Sequence, residues 1–252
     1  MKSHNLNYQL FNQNCNSKFL ILCDHASNHI PKCISETQLG LHDADLNRHI
    51  AYDIGAKETA IELSDFLEAP LILSNFSRLV IDPNRSLEDP TSIMQIYDGT
   101  IIPGNLHLSK AKVYSRQTHF YNSYHNAISK FITAKKKQDI TLCIVSIHSF
   151  SPQLKFEGPR PWHIGVLWNR DTRMSDLFIK ELEKYNDICI GKNEPYSGDL
   201  EGDTLSKHGT TNNLPNVLIE FRNDLIADKT GQKKWVEIIG KVLTKSTYRL
   251  KE

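Results

Sequence analysis

Short apolar runs alternate with longer amphipathic stretches along most of the chain, and this alternation restricts the fold more than any other feature. FLILC (19–23), PLILS (70–74), RLVID (78–82), TLCIVSI (141–147), HIGVLW (163–168), DICIG (187–191) and NVLIEF (216–221) have the length and content of strands, several of them buried on both faces. Residues 44–67 keep apolar side chains at helical spacing (Leu46, Ile50, Ile54, Ile61), with Asp43 or Asp45 near the start. Further helices are expected over 115–137, 172–185 and 230–247, the KKK run at 135–137 fitting a solvated helix C-terminus. Alternation without a linker or compositional break predicts a single α/β domain over 18–252, a mixed, mostly parallel sheet flanked by helices, after a polar lead-in at 1–17. Residues 86–113 and 192–214 read as loops, the first long enough to suggest a functional role.

In such sheets sites form beyond the carboxyl ends of the strands. The polar residues at those ends are Asp24 and His25, Asp82 to Arg85, His148 and Ser149, and Glu220 to Asp224. His25 and His148 each follow an apolar run, and with a carboxylate they would make the two-histidine, one-acid set that holds a divalent metal and leaves a position open. That set acidifies a bound water and polarises a carbonyl; the alternative is two hydrogen-bonded loop histidines. Asp43 and Asp45 read as helix caps, or Asp45 as an oxygen ligand. His42, His49 and His208 are further candidates or surface residues.

Arg85, beside Asn84, offers a planar fork for a carboxylate, and Arg78 a positive charge for a developing oxyanion; both also suit structural salt bridges. Glu220 lies in an apolar strand, where desolvation raises a carboxyl's pKa toward that of a general base, unless Arg222 on the same strand neutralises it.

Other chemistries find no support. Thirty Lys+Arg against 29 Asp+Glu removes the basic excess that nucleic acid or an anionic membrane would require. No apolar run approaches the ~18 residues of a membrane span. A G-x-S-x-G elbow and a Gly-rich phosphate loop are both missing. Five cysteines, an odd number without a C-x-x-C pair, and an N-terminus lacking an apolar stretch lead to the expectation of a cytoplasmic protein.

Five segments, in order, resemble the N-formylglutamate amidohydrolase family: LCDHASNHIP (22–31), HDADLNRHIAYDIGA (42–56), SRLVIDPNR (77–85), VSIHSFSP (145–152) and LIEFRND (218–224). That family is similar in fold to the zinc carboxypeptidases, of the phosphorylase/hydrolase-like type, and to the deacylases of N-acylated acidic amino acids. The resemblance implies an amide hydrolase using Zn²⁺, or another divalent metal, that converts N-formylglutamate to formate and glutamate. It makes His25 and His148 metal ligands, Glu220 the residue that activates water, and Arg78 a catalytic arginine. Asn84 and Arg85 become the substrate-carboxylate clamp, with Arg222 assisting. The carboxypeptidases place a glutamate ligand three residues after the first histidine; here that position is Asn28, so the acidic ligand is assigned to Asp45. Asp24 would orient His25 from behind. Asp-His-Ala-Ser stands where the family usually has Pro-His-Ser-Gly, and 192–214 follows the family's Gly-rich loop only loosely, which suggests a divergent branch. The alternatives are a peptidase or cell-wall amidase on the same scaffold, or a non-catalytic metal- or ligand-binding protein.

Overall fold

The structure, a computed structural model, describes residues 7–249. The main sheet contains β1 (Tyr8–Phe11), β2 (Phe19–Cys23), β3 (Leu71–Ser74), β6 (Cys143–Phe150), β7 (Ile164–Leu167), β8 (Ile190–Lys192) and β9 (Asn216–Arg222). A small antiparallel hairpin, β4 (Ile96–Tyr97) and β5 (Thr100–Ile101), stands apart. Strand order in the main sheet is β1-β3-β2-β6-β9-β7-β8. Only the β1–β3 and β7–β9 pairs are antiparallel, so the sheet is mixed and mostly parallel, as expected. The helices are α1 (Asp43–Leu46), α2 (Ala56–Phe66), α3 (Lys110–Arg116), α4 (Asn122–Lys136), α5 (Arg173–Leu182), α6 (Thr204–His208) and α7 (Lys229–Arg249), with a π-helical turn at Gln117–Tyr121 joining α3 to α4.

Strand periodicity divides the apolar residues between two cores. Phe19, Ile21 and Cys23 pack with Ala60 and Leu63 of α2, Phe178 of α5 and Trp235 and Ile239 of α7. Leu20 and Leu22 face the other way, toward Tyr124, Ile128 and Ile132 of α4. Every side chain of β2, β3 and β6 is buried, which explains why these runs show no alternation in sequence. Among the described residues no helix is long and apolar enough to cross a membrane.

Four expectations need correction. The helix expected over 44–67 is one turn, α1, then an irregular stretch, and α2 begins only at Ala56. Gly55 enforces the break: its φ is +78°, and a Cβ there would lie 2.3 Å from the Ile226 carbonyl oxygen. RLVID (78–82) is buried but is no strand, because side chains take its carbonyls. Asn105 Nδ2 donates to Leu79 O (2.9 Å) and Arg116 Nη1 to Val80 O (2.9 Å). Part of the expected lead-in, Tyr8–Phe11, is the antiparallel edge strand; residues 1–6 lie outside the described residues. His148 sits inside β6 rather than after it, directly opposite Glu220 of β9.

Candidate active site

The carboxyl ends of β2, β6 and β9 meet at the middle of the sheet and deliver His25, His148 and Glu220 to an open cavity of about 360 Å³. The His25 and His148 rings stand edge to face, with centroids 4.8 Å apart. Their Nδ1 atoms lie 3.3 Å and 2.9 Å from one carboxylate oxygen, Oδ2 of Asp53. One ligand atom from each of His25, Asp53 and His148 lies within 4.8 Å of the others, and all three residues are buried.

A second ring of acids holds the two imidazoles. His25 Nε2 is 2.7 Å from Asp82 Oδ1, and His148 Nε2 is 3.1 Å from Asp24 Oδ2. An ionised carboxylate only accepts, so in the absence of a cation both nitrogens of each ring donate, Nε2 to the outer acid and Nδ1 to Asp53, and a cation at the common point would take the place of the Nδ1 protons. Asp82 is held well below the usual carboxylate range: burial opposes this, but the Arg78 and His25 charges prevail. Asp24 is likewise lowered against its burial, by His148. Two imidazole nitrogens and a carboxylate oxygen, oriented by outer-shell acids, form a donor set that fits a divalent cation.

Asp53 therefore replaces Asp45 as the acid of this group. Asp45 lies on α1, partly exposed, and its carboxylate accepts from Arg48 Nη1 (3.1 Å). Asp53 sits in the break before α2, where its own N–H donates to the His25 carbonyl (3.0 Å). The missed helix break and the missed carboxylate are one error; the mid-pattern Gly55 was the available signal. Asp24 was expected behind His25 but stands behind His148; Asp82 takes the expected place. Asn28, on the position of the carboxypeptidase glutamate, donates to Leu46 O (3.1 Å).

Glu220 is buried and lines the cavity, and its Oε2 has no hydrogen-bond partner among the described residues. Burial pushes its carboxyl up to about 7 even though the His148 charge pulls it down. Gly165 of β7, opposite Glu220 in the ladder, leaves room for it, since a Cβ there would lie 3.2 Å from Glu220 Cβ. Arg222 does not neutralise Glu220. Its guanidinium is taken by Asp224 (2.8 Å), and it is not among the cavity-lining residues, a correction to its expected place at the substrate.

Arg78 is buried and lines the cavity. Its Nη2 donates to Asp82 Oδ2 (2.8 Å) and Nη1 to Asp53 Oδ1 (3.4 Å), while Nε has no partner among the described residues. Asn84 and Arg85 also line the cavity, Asn84 Oδ1 accepting from Thr204 N (3.1 Å). His49, 3.4 Å from Asp98, is on the wall, and His42 is exposed. His208 is buried, its Nε2 2.8 Å from His125 Nδ1.

Comparison with known proteins bears on the fold and the family. A solved structure of the gene product Atu2144 from Agrobacterium tumefaciens is 31% identical, covers 100% of this chain and 99% of its own, and superposes with a TM-score of 0.94. The N-formylglutamate amidohydrolase from Ralstonia eutropha shares the fold at 18% identity, with a TM-score of 0.68 over 97% of this chain and 98% of that one. No curated protein sequence matches. The sequence model of N-formylglutamate amidohydrolase matches residues 17–227, and on that match the chain belongs to the N-formylglutamate amidohydrolase family.

Proposed function

We propose that the protein hydrolyses the amide bond of a small N-acylated amino acid with a divalent metal, Zn²⁺ first among candidates, held by His25, Asp53 and His148. The observation that carries this reading is Glu220: a buried carboxyl with an unpartnered oxygen, raised to about 7, facing a cavity that also holds the histidine–aspartate donor set. When bound, such a cation polarises an amide carbonyl and acidifies water. Glu220 takes the proton from the water that adds to the amide carbon and passes it to the nitrogen as the C–N bond breaks, so the products are a carboxylic acid and an amine. Arg78, clamped by Asp53 and Asp82, holds a fixed positive charge against the oxygen on which negative charge develops. Arg85 receives a substrate carboxylate, and Asn84 orients it and donates from its side-chain amide. No covalent intermediate is required.

Family membership makes N-formylglutamate the reference substrate, and a cytoplasmic location, argued from the unpaired thiols, is part of the same proposal. The test is metal analysis of purified protein followed by assay with and without chelator. Activity on formylated amino acids that chelation abolishes and Zn²⁺ restores supports the reading. Activity on peptides alone replaces it by a peptidase or cell-wall amidase; no metal and no turnover, by a binding protein.

Two further results are expected. Asp82→Asn weakens metal affinity about 10–100-fold, the usual effect of removing an outer-shell carboxylate, with the fold retained by circular dichroism. Arg85→Lys raises KM about tenfold with kcat nearly unchanged, since an ammonium cannot reproduce the fork's charge-assisted bonds; an unaltered KM removes Arg85 from the substrate site.

A further inference from the structure

The cavity contains two opposite charges that form no ion pair among the described residues. Asp203, 3% exposed, lines the cavity and caps α6, one oxygen accepting from Ser206 N (2.7 Å). No cation lies within salt-bridge range of it among the described residues, and burial pushes its carboxyl up to about 6, so it is mainly ionised at neutral pH. Arg85 lines the same cavity, and among the described residues its guanidinium donates only to the carbonyl of Asn84 (3.2 Å).

The segments that carry these charges lie side by side. Asn84, preceding Arg85, accepts from the backbone N–H of Thr204, which follows Asp203. The two segments touch again at Gly202, where a Cβ would lie 2.9 Å from Ser86 Cβ. Despite this proximity, Arg85 and Asp203 form no ion pair with each other. Of the other arginines around the site, Arg78 is paired with Asp53 and Asp82 beside the donor set, Arg160 with Glu157 and Arg222 with Asp224. A dicarboxylate such as N-formylglutamate therefore meets one available guanidinium and one repelling carboxylate. A head group with a carboxylate and an ammonium on the same carbon meets a partner for each.

We propose that this end of the cavity is a head-group site for a free α-amino acid, Arg85 taking the carboxylate and Asp203 the ammonium. The substrate is then an amino acid acylated on its side-chain nitrogen, its methylene chain held in the same cavity, whose lining includes the apolar Phe150, Leu167 and Leu218 as well as His25, Asp53 and His148. The inference rests on the amide-hydrolase reading and specifies which N-acylated amino acid it takes.

The test measures binding apart from turnover. Glu220→Gln protein is titrated by calorimetry, in the presence of Zn²⁺, with Nδ-formylornithine and with N-formylglutamate. Nδ-formylornithine is expected to bind at least about tenfold more tightly, the worth of one satisfied charged hydrogen bond. Adding Asp203→Asn, which keeps an N-cap side chain and removes the charge, should erase that preference. Equal affinities, tighter binding of N-formylglutamate, or a preference that survives Asp203→Asn overturns the proposal. Turnover of both compounds by the wild-type protein is read separately. If neither is cleaved while the binding preference stands, the hydrolase reading fails and the head-group site does not.

Discussion

Glu220→Gln leaves metal content at the wild-type level and lowers kcat about 10²- to 10⁴-fold, with KM close to unchanged. The amide has the shape of the carboxyl but takes no proton at neutral pH, so the variant removes the transfer and keeps the packing. Position 220 tolerates this because Gly165 leaves space on the neighbouring strand. The unpartnered Oε2 loses no hydrogen bond to protein. Retained activity would exclude Glu220 as the base; loss of metal together with activity would make it a ligand instead.

The same substitution has a second, opposite effect on stability. Glu220's folded pKa is raised to about 7 by burial, so the fold favours its protonated form. Any contribution of this group to stability is complete below the unfolded pKa and declines as pH rises through the folded value. At pH 8 the metal-free wild type keeps a carboxylate in a poorly solvated place, and the glutamine variant does not. Metal-free Glu220→Gln is therefore expected to melt a few degrees higher than wild type at pH 8 and close to it at pH 4. A gain at high pH combined with a loss of kcat separates a poised catalytic acid from a structural one, whose removal lowers both.

The sheet was legible because buried parallel strands leave unbroken apolar runs. FLILC coincides with β2, and PLILS, HIGVLW and NVLIEF each fall within a residue or two of a strand. His25, His148 and Glu220 were legible for a related reason, as polar residues at the ends of apolar strands that meet at the middle of the sheet. The carboxylate was not. Asp53 stands within a stretch whose apolar spacing continues at helical period across Ile50, Ile54 and Ile61, and what ends the helix there is tertiary: Gly55 pressed against the Ile226 carbonyl. RLVID failed in the same way. Its composition is that of a strand, but its carbonyls are capped by Asn105 and Arg116 from segments far along the chain. Arg222, which the family resemblance implies as an aid to the substrate clamp, is taken in the structure by the nearby Asp224.

Asp53→Asn and Asp45→Asn form the pair that decides the ligand set. Asp53 Oδ2 is shared by the Nδ1 atoms of both histidines and the N–H of Ser149 (3.2 Å), and Oδ1 faces Arg78. Replacing it removes a charged oxygen from the donor set, so the loss of metal affinity exceeds the about 10–100-fold typical of an outer-shell partner, and turnover falls with it. Without metal, the variant leaves buried cations short of an anion, a loss of about 3–5 kcal/mol when one member of a buried pair is deleted. That loss depends on pH. His148 is raised well above its ordinary value, against its burial, by Asp24 and Asp53, and His25 is raised by Asp82 and Asp53 against burial and Arg78. Stability from these pairs is complete below the unfolded histidine pKa and fades as pH rises through the folded values. The gap between wild type and Asp53→Asn in urea titrations is therefore widest at mildly acid pH and narrows in alkali. Asp45, partly exposed and paired with Arg48, changes stability by no more than about 0.5 kcal/mol on substitution and leaves metal content and kcat alone. A protein that keeps its metal as Asp53→Asn and loses it as Asp45→Asn would return the ligand to α1 and dissolve the site described around β2, β6 and β9.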